Sequence, residues 1–106
     1  MTIIGEIIRA HNIRTRYIPP EYKETFSGAG YSAKVGEKYY IFLDPDISIT
    51  DQRFTAAHEL GHILLGHLDN SQIAVGAKEA ELEANIFASV FLAFSVIAQV
   101  EAKNAE

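Results

Sequence analysis

The chain contains no cysteine and no tryptophan, and only three prolines in 106 residues. Without thiols there can be neither a disulfide framework nor a metal centre built on thiolates, so any transition-metal site must draw on four histidines and the carboxylates. Positive charge is also scarce. Nine Lys and Arg stand against fourteen Asp and Glu, a net charge of -5, which argues against broad nucleic-acid contact. The start, Met1 to Arg16, interrupts its apolar residues with polar ones and does not read as a signal peptide. The length suits one domain, expected over residues 1–106, and a 48% hydrophobic content supplies a core for it.

Ile3, Ile4, Ile7 and Ile8 form an apolar stripe that predicts a first helix ending near His11, which would cap it. Pro19-Pro20 ends regular structure and imposes an extended path. Tyr31–Val35 and Lys38–Leu43 are expected to pair as a hairpin across Gly36-Glu37, with Asp44-Pro45-Asp46 closing the second strand. Gly28-Ala29-Gly30 lacks the third glycine and following helix of a nucleotide loop and reads as a turn. Thr50 or Asp51 is expected to cap a helix that runs to about Gly66 and is apolar on most sides, hence central. A loop over residues 68–78 and a last helix from about Glu79 to Val100 complete an α+β order. The uncharged run from Ala84 to Val100 is near the short limit for a membrane span. Its Asn85, Ser89, Ser95 and Gln99 favour a buried or partner-facing helix instead.

The chemistry lies in His58-Glu59-Leu60-Gly61-His62. Residues four apart on a helix project from one face, so two neutral imidazoles can share one tetrahedral ion at about 2.0–2.1 Å. Glu59, turned by about 100°, is placed to act as general base towards water rather than as a ligand. Three polar side chains inside an apolar helix would be costly without an internal partner, and one zinc ion satisfies them. Gly61 lowers helix propensity and is expected to permit a close approach by a neighbouring element.

A third protein ligand is needed. Glu81, Ala84, Asn85 and Ala88 share one narrow, mostly small face of the last helix, which favours Glu81, with Glu83 and then Glu79 as alternatives. With Glu81 as ligand, Asn85 lies one turn away, where it can hold the tautomer of a metal-binding imidazole. His67 has two readings: a helix-terminal residue interacting with free carbonyls, or a contact to substrate or to the charge developing in the transition state. Tyr31 and Tyr39 are further candidates for that contact. The strand Tyr39–Leu43 is either a core strand or an edge that could pair with an extended peptide.

With these residues in view, the chain resembles the ImmA/IrrE family of small zinc metallopeptidases. The resemblance spans roughly residues 28–94. It rests on the hairpin segment Gly30-Tyr31-Ser32 through Tyr40-Ile41-Phe42, on Gln52 through His67, including the paired-histidine motif, and on Glu81-Leu82-Glu83-Ala84-Asn85-Ile86-Phe87-Ala88. It implies a minimal zincin-like domain with a small antiparallel sheet beside the motif helix. It also implies zinc held by His58, His62 and Glu81, with Glu59 as base and Asn85 behind the ligands. The implied activity is cytoplasmic cleavage of a DNA-binding repressor or other regulatory protein, in a family often linked to mobile elements. One departure is that Phe91-Leu92-Ala93-Phe94 replaces the usual Leu-Leu-x-Pro, so the last helix is expected to continue. The cleft-building elements that usually follow are then not expected, and Phe91, Phe94 and Val96 are expected to be covered by a second copy or a partner helix. The competing expectation is a noncatalytic regulatory or interaction domain whose metal only stabilises the fold; pairing with a toxin–antitoxin or conjugative-element regulator is a third.

Overall fold

A computed structural model describes residues 3–25, 28–69 and 77–104. The elements in chain order are α1 (Ile3–Ala10), β1 (Ile13–Tyr17), β2 (Gly30–Val35), β3 (Lys38–Leu43), α2 (Ile49–Leu64) and α3 (Ala77–Asn104), with a 3-10 turn at Pro20–Tyr22. The class is α+β, as the residue pattern predicts.

α1 ends where expected. The His11 ring donates through Nδ1 to the Ile7 carbonyl at 3.0 Å, taking up an acceptor that the helix end leaves free. Asn12 then turns the chain through a left-handed conformation, φ 55°, into β1. The hairpin forms as predicted, with Val35 opposite Lys38 and Tyr31 opposite Phe42.

The sheet corrects one expectation and decides between the two readings of Tyr39–Leu43 in favour of the core strand. Its strand order is β1-β3-β2, with β1 parallel and β2 antiparallel to β3, so it is mixed rather than antiparallel throughout. β3 is therefore the central strand, paired on both sides, and cannot receive a peptide along its edge. β2 stands at one end of the strand order, beside α2. β1 has only a weak local signature: of Ile-Arg-Thr-Arg-Tyr, just Ile13 is buried, and the pairing of Ile13 with Tyr39 through Tyr17 with Leu43 holds the segment in place.

α2 starts earlier than Thr50 or Asp51 as cap would allow. Ser48 is the cap: its hydroxyl accepts from the Asp51 amide at 3.0 Å. The helix lies over the sheet, where Ile13, Ile41, Leu43, Ala56, Leu60 and Ile63 form the core, flanked by Ile7, Ile8, Tyr39, Leu68 and Phe87. Ile41 and Leu60 are fully buried, each worth about 1.5–3 kcal/mol relative to an exposed side chain.

α3 begins at Ala77, so the end of the expected loop is already helical, while 70–76 lie outside the described residues. Ala84 and Ala88 are fully buried, which brings the axes of α2 and α3 close together. Gly61 serves this approach: a Cβ there would lie 3.0 Å from Cδ1 and 3.2 Å from Cβ of Phe87. The expected close neighbour is thus an aromatic side chain from α3. Ala77–Val100 is long and apolar enough to span a membrane by length and composition alone. Its first half nevertheless packs on α2 and carries Glu81 and Glu83 into polar contacts.

Candidate metal centre

α2 turns one face towards α3, and that face holds His58 and His62. Their Nε2 atoms lie 3.2 Å apart. From α3, Glu81 brings its two carboxylate oxygens to 3.0 Å from His58 Nε2 and 2.9 Å from His62 Nε2. Glu59 stands on the adjoining side of α2, with one ligand-type atom within 4.8 Å of those of both histidines. Its Oε1 accepts a 2.7 Å hydrogen bond from the Ser32 hydroxyl on β2. Ser32 lies in the segment that resembles the family but is not among the candidate site residues, because only the tertiary packing of β2 against α2 brings it to Glu59.

The outer ring nitrogens are also engaged. His58 Nδ1 donates to Asn85 Oδ1 at 2.8 Å, which leaves its Nε2 as a bare lone pair aimed at the centre. His62 Nδ1 contacts His67 Nδ1 at 2.9 Å, and His67 Nε2 donates to Glu83 Oε1 at 2.7 Å. Burial holds the His62 pKa below its ordinary value, the carboxylates of Glu59 and Glu81 opposing this only in part, so the neutral, ligand-competent ring is favoured.

This donor set fits a divalent ion. Two ligands on one tetrahedral ion at about 2.0–2.1 Å are separated by about 3.3 Å, close to the spacing of the two Nε2 atoms. Imidazole nitrogens and carboxylate oxygens converging on one point repel one another through their lone pairs, and a cation between them turns that repulsion into binding.

The site opens into a cleft of about 340 Å³ between β2, α2 and the start of α3, bordered by Tyr31, Ser32, Glu59, His62, His67 and Glu81 among others. Tyr31 is part-exposed at this rim. Tyr39 does not line the cleft: its hydroxyl donates to Asp69, which Lys34 also contacts at 3.2 Å. A larger apolar groove of about 720 Å³, bordered by Ile7, Leu65, Glu83, Ile86, Phe87, Val90, Phe91 and Phe94, is lined by none of His58, His62 and Glu81.

Residues 8–93 match the family model for peptidase M78, the IrrE N-terminal-like domain. The chain belongs to the peptidase M78 family. Comparison with curated proteins and with solved structures gives no match. Family membership over most of the chain and the intact His58-Glu59-Leu60-Gly61-His62 cluster together make this M78 domain a metal-dependent peptidase. No single element of the M78 domain holds its centre: α2 supplies the histidines and Glu59, α3 supplies Glu81 and Asn85, and β2 supplies Ser32.

Proposed function

We propose that this M78 peptidase, as one domain over residues 1–106, binds one zinc ion through His58, His62 and Glu81 and cleaves a regulatory protein in the cytoplasm. A DNA-binding repressor is the substrate class suggested by the family resemblance. The observation that carries the metal reading is the approach of Glu81 to both Nε2 atoms within 3.0 Å, a grip that joins two helices. Two carboxylates adjoin the rings. Glu81 is nearer and is assigned as ligand, while Glu59, held by Ser32, is assigned as base.

When bound, zinc supplies Lewis acidity, which lowers the pKa of water and polarises a peptide carbonyl. Ser32 fixes one oxygen of the Glu59 carboxylate, leaving the other to take a proton from the attacking water and return it to the departing amine. Asn85 holds the His58 ring in the tautomer whose Nε2 faces the ion. β2 stands at the end of the strand order β1-β3-β2 and borders the cleft, so an extended substrate segment laid beside it would pass Glu59. Tyr31 at the rim is placed to touch that segment. The exposed apolar residues Phe94, Val96, Ile97 and Val100 of α3 are the surface through which a second copy or a partner helix would attach. No direct nucleic-acid contact and no membrane insertion form part of this reading.

The test is zinc analysis combined with an unbiased proteolysis assay on the wild-type chain and Glu59→Gln. The variant is expected to retain one zinc per chain and to cleave about 10²–10⁴-fold more slowly. Equal, chelator-insensitive cleavage by both proteins would overturn the mechanism. A wild-type protein that holds zinc but cleaves nothing would favour the noncatalytic, metal-stabilised alternative.

A further inference from the structure

The two metal-site histidines differ in what stands behind them. His58 leans on an amide one turn along α3, whereas His62 leans on another histidine, which in turn leans on a carboxylate. A carboxylate oxygen accepts, so His67 Nε2 supplies the hydrogen of the 2.7 Å bond to Glu83. The 2.9 Å contact between the two Nδ1 atoms then has a direction in which His62 Nδ1 donates and His67 Nδ1 accepts. With His62 Nδ1 as donor, its Nε2 keeps a lone pair at the point where His58 Nε2 and Glu81 converge.

The local backbone explains how a residue beyond α2 returns to that helix. Gly66 adopts φ 78°, a left-handed conformation that glycine enters without a Cβ penalty. The His67 amide thereby donates to the His62 carbonyl at 2.9 Å, the long-range bond of a Schellman turn. His67 thus grips His62 twice, at its carbonyl and at its ring. Its side chain is 6% exposed, whereas that of Glu83 is 48% exposed, so the chain of contacts runs from the ion to the rim.

We propose that His67 and Glu83 form a positioning relay that fixes the tautomer and orientation of His62 as a metal ligand, with Gly66 aiming His67. Two glutamates of one helix then divide the work: Glu81 grips the ion and Glu83 anchors the residue behind its second ligand. The inference rests on the zinc reading above.

The test is zinc affinity, measured by chelator competition on the full chain, with nitrogen-15 NMR of the His62 ring reporting which nitrogen carries the hydrogen. His67→Phe is expected to weaken zinc binding about 10–100-fold, the range for losing a partner of a ligating histidine. His67→Asn places an amide oxygen where Nδ1 stood and is expected to recover much of that loss, which a packing role alone would not predict. Glu83→Ala removes a half-exposed side chain and is expected to weaken binding about tenfold. It decides the matter if His67→Phe fails to fold. Wild-type affinity in every variant that folds, or His67→Asn no better than His67→Phe, would overturn the relay and leave the zinc site standing. A wild-type chain that binds no zinc would bring down both.

Discussion

The two halves of α3 obey different rules. From Ala77 to Ala88 the face towards α2 is narrow and small, with Ala84 and Ala88 fully buried and Glu81 and Asn85 reaching the motif histidines. Beyond Phe91 the same helix presents Phe94 at 64%, Val96 at 59% and Val100 at 52% exposure. The first half shows that small side chains allow polar groups to be aimed accurately across a helix pair. The second shows that hydrophobicity alone, without a complementary surface, leaves a helix uncovered.

Removing the metal should produce the largest change. If zinc grips both helices, saturating it at about a thousand times its dissociation constant stabilises the fold by about 4 kcal/mol, and chelation should reverse that as a lowered Tm. A Tm insensitive to chelator would deny that the ion joins α2 to α3. Next comes Ala88→Leu, which forces bulk between the two helices and should cost about 1–3 kcal/mol in denaturant unfolding. An unchanged midpoint would show that the helices are not tightly packed there.

Asp69 offers a smaller, pH-dependent effect at the end of the tightly packed region. Hydrogen bonds from Tyr39 and then Lys34 hold its carboxyl below the ordinary 3.8. A depressed folded-state pKa means that the unfolded chain takes up the proton first as pH falls. The stabilisation is therefore fully present above 3.8 and is lost as pH drops through the folded value. Unfolding measured against pH should show this decline, and Asp69→Asn should flatten it; identical profiles would remove the tie between the site end of α2 and the hairpin. The smallest effect is expected in the outer half of α3. Phe94→Ser should change monomer stability by about 0.5 kcal/mol or less, and sedimentation of the wild type and variant reports whether this surface mediates self-association.

Much of the centre is legible before folding because its spacing is local. His58 and His62 share a face through helix periodicity alone, and Glu81 with Asn85 share another. The hairpin is equally legible, its two strands meeting across Gly36-Glu37. Ser48 is missed as the cap because Ser48, Thr50 and Asp51 lie within four residues and all suit that position, and only the hydrogen bond to the Asp51 amide separates them. β1 is missed because four of its five residues are not buried, and its partner lies far along the chain.

The sequence by itself determined the paired-histidine motif and the helix bearing it, since these rest on residues within a turn or two of one another, and it pointed to the family through segments spread along most of the chain. Only the tertiary structure decided that β3 is central, that β2 borders the cleft with Ser32 on Glu59, and that Glu83 stands behind His67. Those contacts join segments separated by 16 to 27 positions or more. No local periodicity encodes such meetings; they follow from how the sheet and α3 pack against α2.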